Sequence, residues 1–122
     1  MLDLAITYQK DLVAYYTYYN HLYFNYTLTP SDFLTLRWNE NLGDYAGMCI
    51  KKYNETIIEL NPIYLTLFPE EFPNIFVHEM IHLISIEHDN IFLSEIERIK
   101  QLGLEVTVNC KYKLSEYSEY NG

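Results

Sequence analysis

The chain has 122 residues, of which 49% are hydrophobic and 16% aromatic, and 13 of the aromatic residues are tyrosines. This length suffices for one domain with its own core and is too short for two. The formal net charge is -9, from 17 acidic and 8 basic residues. Because the basic residues are scattered and form no stripe, direct nucleic-acid binding is disfavoured. The high apolar content disfavours disorder except at the end of the chain, and it means that folding does not require disulfides.

The sequence predicts neither a signal peptide nor a membrane-spanning segment. The start, Met1-Leu2-Asp3, carries an acid where a signal peptide has a basic region, and no apolar run approaches the roughly 18 residues of a membrane span. Cys49 and Cys110 have no metal-like spacing, so we expect two buried or partly buried thiols and no zinc ribbon. We expect a cytoplasmic protein with no membrane partner.

The first half of the chain predicts one helix followed by three strands. Apolar residues recur every three to four positions in residues 4–23, without Pro or Gly, which predicts a long amphipathic helix whose tyrosines face a core. Residues 33–38, 45–50 and 56–61 read as short strands separated by polar turns. Tight turns between consecutive strands favour a meander, and therefore a small, mostly antiparallel three-stranded sheet.

The second half predicts two helices and a last strand. Pro62 ends the third strand, residues 65–73 cross over, and Pro73-Asn74 introduces a helix. A second helix over residues 91–101 is capped by Asn90 and stopped by Gly103, and residues 106–110 alternate like a strand. The predicted fold class is therefore α+β. We expect a single domain over residues 1–114 and a flexible polar tail over residues 115–122.

The chemistry is concentrated in residues 78–82, which read His-Glu-Met-Ile-His. Two histidines four apart on a helix differ by about 40° in azimuth and about 6 Å in height, so both imidazoles can reach one metal ion. Glu79 lies about 100° round the helix from His78, where a carboxylate can touch a metal-bound water without being a ligand. Apolar neighbours on both sides favour a core helix over a surface helix with solvated histidines.

His88 is the expected third metal ligand. A continuous helix would carry it about 9 Å beyond His82 and about 240° away, so a turn at residues 85–87 must bring it back. Three histidine ligands leave a fourth tetrahedral position for water, which is the mark of a catalytic zinc site. We therefore expect one Zn²⁺ per chain. Glu79 would take the proton of the zinc-bound water and pass it to the leaving amine, which predicts peptide hydrolysis.

Several assignments stay open on the residues alone. Asp89 either caps the following helix and holds the loop, or orients a ligand histidine. Glu87 is an alternative to His88 as third ligand. The group that stabilises the oxyanion is one of four candidates without geometry: Tyr45, Tyr53, Tyr112 and Arg37. Besides a zinc endopeptidase acting on a protein substrate, two alternatives are a non-catalytic protein-binding module that retains the zinc, and a zinc that only staples the fold.

The order of elements carries a family resemblance. A helix leads to residues 24–28, then to strands containing Trp38 and Gly47, to residues 58–62, and to the motif helix. His88 is followed by Phe92 in a His-x-x-x-Phe pattern. This order resembles the SprT-like metallopeptidases, which include Spartan and, more distantly, the WLM proteases. The resemblance implies zinc ligation by the three histidines, Glu79 as catalytic base and a packing role for Phe92.

Two comparisons limit what the resemblance implies. SprT-like members that act on DNA–protein crosslinks usually add a zinc ribbon or basic segments, which this sequence does not show, so their substrate is not inherited. Metzincins place their third histidine at the same distance from the motif. Ser85 occupies the position of their turn-forming glycine, and no methionine follows Met80 to build their Met-turn. The sequence therefore favours the SprT-like type.

Overall fold

The computed structural model describes residues 2–116, and these residues form an α+β fold. Its helices and strands, in chain order, are α1 (Ala5–Tyr8), α2 (Leu12–Phe24), β1 (Thr35–Trp38), β2 (Gly47–Lys52), β3 (Glu55–Leu60), α3 (Pro62–Leu67), α4 (Phe72–Ile81) and α5 (Asn90–Gln101). Short 3-10 turns occupy Ser31–Phe33, Pro69–Glu71 and Leu114–Glu116. The predicted fold class and the three predicted strands are confirmed.

The sheet is mixed, and its strand order is β1-β3-β2. β1 runs parallel to β3, with Thr35 opposite Ile57, whereas β2 is antiparallel to β3, with Gly47 opposite Leu60. The predicted meander is therefore wrong. Only β2 and β3 form a hairpin, and residues 39–46 carry the chain past β3 to its other edge. β3, the central strand, is the most buried of the three, with Ile57 to Leu60 all buried, because a central strand is covered on both sides.

The predicted long N-terminal helix is divided at residues 9–11. Asp11 has an extended backbone, and its Oδ1 accepts a hydrogen bond from the Ala14 amide over 3.1 Å. An Asp in this position competes with helix continuation and starts a new helix instead. α2 ends at Asn25, which adopts the left-handed conformation with φ 51°. The break separates the short α1 from the longer, core-packed α2.

α2 packs part of its tyrosine stripe into the core, as the spacing predicts, whereas Tyr18 is exposed. Tyr16 and Tyr19 are buried, and the Tyr19 ring meets Phe76 of α4 edge-on with centroids 5.7 Å apart. Such aromatic pairs contribute about 0.5–1.5 kcal/mol beyond the area they bury. Phe76 and Met80 are fully buried, so α4 runs through the core between α2 and the sheet. A helix held on both sides is a rigid base for the motif that it carries.

The crossover after β3 contains a helix that the sequence analysis did not predict. Asn61 accepts a hydrogen bond from the Ile63 amide over 3.0 Å, and Pro62 occupies the first turn. Both features are typical of a helix start. The strand-ending role predicted for Pro62 therefore coincides with the beginning of α3.

The strand predicted over residues 106–110 is absent from the described structure. Val106 is buried in the core, whereas Thr107 is exposed and only its main-chain oxygen meets α4, and no described strand pairs with this segment. Its alternation therefore reflects burial of single side chains rather than sheet formation. The Ser115 amide donates to Asp44 over 2.8 Å, so the predicted tail begins in contact with the domain. Residues 117–122 of that tail lie outside the described residues.

The helices of residues 2–116 include none with the length and apolar character needed to cross a membrane.

Candidate metal centre and cleft

The three motif histidines are brought together by the way in which α4 ends. The helix stops at Ile81, and the amides of His82 and Leu83 turn back to the carbonyls of Glu79 and Met80 at 3.1 and 3.0 Å. The chain then turns through residues 85–88 and enters α5. The predicted interruption is confirmed. It returns His88 to the side of the helix where His78 and His82 lie.

The three imidazoles form one cluster. One ring nitrogen of each of His78, His82 and His88 lies within 4.8 Å of those of the other two. The Nε2 atoms of His82 and His88 are 3.3 Å apart, and the ring centroids of His78 and His88 are 5.4 Å apart. Exposure increases from the buried His82 through the half-buried His78 to the exposed His88. The cluster therefore sits at the surface end of a core helix and is open on one side.

Main-chain carbonyls hold two of the rings. Nδ1 of His78 donates to the Thr107 oxygen over 2.7 Å, and Nδ1 of His82 donates to the Ser85 oxygen over 3.0 Å. Since a carbonyl only accepts, Nδ1 carries the proton in both rings and Nε2 is the unprotonated nitrogen. Sequence analysis missed both partners, because a main-chain carbonyl has no side-chain signature.

The electrostatics of these rings favour the neutral form. Burial lowers the pKa of His78 to about 4, and burial also lowers the pKa of His82. Neutral imidazole is the form that ligates metal, and metal-bound histidines usually donate their other ring N–H to a carbonyl or carboxylate. Three such nitrogens with one side open fit zinc. The donor set is therefore suited to that ion.

Phe92 packs under the cluster. Its buried ring lies with its centroid 5.1, 4.6 and 4.5 Å from those of His78, His82 and His88. Burial of this ring at the N-terminal end of α5 fixes the floor on which the imidazoles rest. The contact matches the packing role that the family resemblance implies.

Glu79 is a buried carboxylate beside the cluster. It is 6% exposed, and its Oε2 lies 3.9 Å from Nε2 of His78. Burial raises its pKa to about 8. A cation held by the histidines would lower that pKa again, because an opposite charge nearby favours the ionised form. Burial and a bound cation therefore shift the pKa of this carboxyl in opposite directions.

A cavity of about 850 Å³ opens in front of Glu79 and the three histidines. Its walls are residues 42–45, the start of β2, one side of α4 and residues 107–113. Of the four candidates for oxyanion stabilisation, Tyr45 and Tyr112 line this cavity. Tyr53 projects fully into solvent from the β2–β3 turn, and Arg37 pairs with Glu59 over 2.6 Å. The structure therefore leaves the two cavity tyrosines as candidates.

Asp89 combines the two roles that the sequence left open. Its Oδ1 accepts from the Phe92 amide over 3.0 Å and caps α5, so the predicted cap at Asn90 is wrong by one residue. Its Oδ2 accepts from the Ser85 hydroxyl over 2.7 Å, and the Ser85 carbonyl holds His82. Asp89 therefore acts on His82 through Ser85. Glu87 is exposed and stays outside the cluster.

The two cysteines also face the cavity, although neither belongs to the cluster. Cys49 is half-buried and Cys110 is exposed, and both are free thiols. Burial raises the pKa of Cys49 to about 11. Because a thiolate is the form that ligates metal or attacks carbon, burial disfavours the reactive form of Cys49. The expectation of two partly buried thiols is confirmed for Cys49 and wrong for Cys110.

Fold and site together define a class of protein: an α+β domain in which a core helix and the turn after it present three imidazoles able to hold a metal ion. Comparison with protein-family models matches residues 12–111, most of the chain, to the SprT-like family. The chain therefore belongs to the SprT-like family, which is associated with zinc metallopeptidase-like domains. A comparison with curated proteins finds no match.

Proposed function

We propose that this protein is a zinc-dependent endopeptidase in which Glu79 is the general base. The observation that carries the proposal is the position of the buried Glu79 carboxylate, 3.9 Å from Nε2 of His78, beside three histidine nitrogens that converge on one point. A purely structural zinc would not need a carboxylate here, and structural zinc sites ordinarily have four protein ligands.

The residues present fit zinc as the metal, and His78, His82 and His88 would hold it. When bound, zinc would polarise a scissile carbonyl and make water acidic enough to lose a proton near pH 7. The Thr107 and Ser85 carbonyls keep the protons of His78 and His82 on Nδ1, away from the ligand nitrogen. These two hydrogen bonds prepare the site before an ion arrives.

Glu79 handles the proton. Its carboxylate accepts the proton of the attacking water and then delivers it to the nitrogen of the leaving amine, so one group serves as base and then as acid. Burial raises the pKa of this carboxyl and so opposes the lowering that a bound cation would cause, which keeps the carboxylate able to take up a proton. A base with a pKa near the working pH gives the best compromise between being ionised and being able to pull a proton.

The proposed partner is a polypeptide substrate bound in the cavity. Apolar side chains from three parts of the fold, Leu42, Met48 and Ile86, line it together with Tyr45. A cleft with apolar walls and a few polar groups suits an extended peptide segment. The proposed reaction requires no nucleic acid, in keeping with the net charge of -9.

The test combines metal content with cleavage. The purified protein is expected to hold about one zinc per chain and to cut an unfolded casein substrate. His78→Ala should lose both zinc and cleavage, whereas Glu79→Gln should keep zinc and lose cleavage. His21, an exposed histidine on α2, supplies the matched control, since His21→Ala should change neither.

Two results would overturn the proposal. Cleavage that survives in Glu79→Gln would remove Glu79 from the mechanism. A zinc-loaded chain that captures a polypeptide uncut, and does so equally well as Glu79→Gln, would instead be the non-catalytic binding module.

A further inference from the structure

We infer that Gly47 is a positioning residue for Glu79: the missing side chain at this point of β2 leaves the space in which the carboxylate lies. The inference rests on the proposed function for the role of Glu79 as base. Its steric part concerns this chain alone and can be tested without activity or metal.

The space beside Gly47 is already filled by Glu79. A Cβ built on Gly47 would lie 3.0 Å from Cγ and 3.2 Å from Oε2 of Glu79, and 3.2 Å from the Glu59 carbonyl oxygen. Carbon atoms without a bond between them normally approach to about 3.5–4.0 Å. The backbone of Gly47 lies outside the left-handed region, so alanine would suffer from these contacts and not from its φ angle. Glycine within a strand often marks such a close approach.

β2 cannot retreat from the contact. Gly47 pairs with Leu60 in the antiparallel ladder, and the neighbouring Ala46 carbonyl accepts from the Asn61 amide over 2.9 Å. The third close atom, the Glu59 carbonyl oxygen, belongs to the main chain of β3. Moving β2 away would break hydrogen bonds on the edge of the sheet that carries the cavity.

α4 cannot retreat either. Val77 and Met80, two residues before and one residue after Glu79, are fully buried in the core, and close-packed interiors do not yield by half an ångström without cost. The Glu79 side chain is the part that can rotate. A methyl group at position 47 would therefore displace the carboxylate from its place 3.9 Å from Nε2 of His78.

The first test is a double-mutant cycle on the metal-free protein in chelator, read as the midpoint of urea unfolding. Gly47→Ala should lower the midpoint in the wild-type background. In a Glu79→Ala background, where Cγ and Oε2 are removed, the same substitution should lower it clearly less. Equal shifts in both backgrounds would overturn the inference. Ile75→Ala, on the same helix and cavity wall, is the control background and should show no coupling.

The second test separates positioning from blocking. In the zinc-loaded protein, Gly47→Ala should keep its zinc and its KM within about threefold while kcat falls about tenfold, because a shift of a few tenths of an ångström is smaller than the displacement of about 1 Å that costs about 100-fold. A raised KM with unchanged kcat would mean that the methyl group only obstructs substrate, and would overturn the inference. If the wild-type protein cleaves nothing, the proposed function fails, whereas the unfolding cycle still decides the contact.

Discussion

Nδ1 of His78 donates a hydrogen bond to the main-chain oxygen of Thr107 over 2.7 Å, across 29 positions of sequence. It ties the motif helix α4 to the segment that follows α5. With the Ser85 carbonyl holding His82 in the same way, two of the three imidazoles are oriented by backbone. The site is therefore prepared by the fold, and its tautomers are set by groups that substitution cannot remove.

The first prediction concerns these tautomers. In the metal-free protein at pH 7, His78 and His82 should both be neutral with the proton on Nδ1, because each Nδ1 faces a carbonyl. Two-bond ¹H–¹⁵N correlation spectra distinguish the two tautomers. His78 should remain neutral at pH 5, since burial lowers its pKa to about 4. Protonation of His78 near pH 6.5, or a proton on Nε2 of either ring, would contradict the arrangement.

The second prediction tests the link from Asp89 through Ser85 to His82. Asp89→Ala removes the nearer acceptor of the Ser85 hydroxyl as well as the cap of α5, and leaves that hydroxyl only the Glu87 carbonyl at 3.4 Å. We expect zinc affinity to fall about tenfold, the lower end of the loss seen when a group behind a metal ligand is removed. Competition with a chromophoric chelator measures this.

A matched control separates this link from loss of a helix cap. Asp11 caps α2 through the Ala14 amide and touches no residue of the cluster in the described contacts. Asp11→Ala should destabilise the fold by about 1 kcal/mol and leave zinc affinity unchanged. If both variants lower zinc affinity equally, the cause is general destabilisation of the fold, and the contact from Asp89 through Ser85 to His82 does not control zinc binding.

The third prediction is a pH dependence of the metal-free protein. Burial raises the pKa of Glu79 from 4.5 to about 8, so between these values the folded state holds a proton that the unfolded state has lost. Stability therefore decreases as pH rises through this window. We expect the free energy of unfolding to be about 1 kcal/mol lower at pH 8 than at pH 7. Urea unfolding in chelator measures the difference, and Glu79→Gln should abolish it.

The fourth prediction concerns the buried carboxylate of the central strand. The Glu59 side chain is 5% exposed and accepts from Arg37 Nε over 2.6 Å and from Asn39 Nδ2 over 3.1 Å. Arg37→Ala leaves the buried Glu59 charge with a single neutral donor, Asn39. We therefore expect the free energy of unfolding to fall by about 2 kcal/mol, a value reduced to allow for the half-exposed position of Arg37. Thermal or urea unfolding gives the value.

Arg98 provides the comparison for that loss. It pairs with Glu95 on the exposed side of α5 over 2.8 Å and lies over the Phe24 ring. Arg98→Ala should cost no more than about 1 kcal/mol, because surface ion pairs and exposed cation–π contacts are weak. Equal losses for the two arginines would mean that burial of Glu59 does not govern the effect.

The composition of the candidate site was predictable from sequence because its determinants are local. The spacing of His78 and His82 needs only the pitch of a helix, and the same pitch requires a turn before His88. The tyrosine stripe of α2 follows from helical periodicity in the same way. The family assignment rests on residues in a similar order, and the match over residues 12–111 confirms it.

Tertiary structure alone decided the strand order, the partners of the imidazoles and the place of Gly47. Which strand is central depends on pairing between distant segments, and the parallel contact of β1 with β3 joins residues that no turn connects. Every residue has a main-chain carbonyl, and those of Thr107 and Ser85 become specific partners of the histidines only through their position in the fold. The contact of Gly47 with Glu79 arises where β2 meets α4. The sequence by itself determined which side chains form the candidate metal centre, whereas the fold decided what orients them, because orientation comes from backbone groups that all residues share.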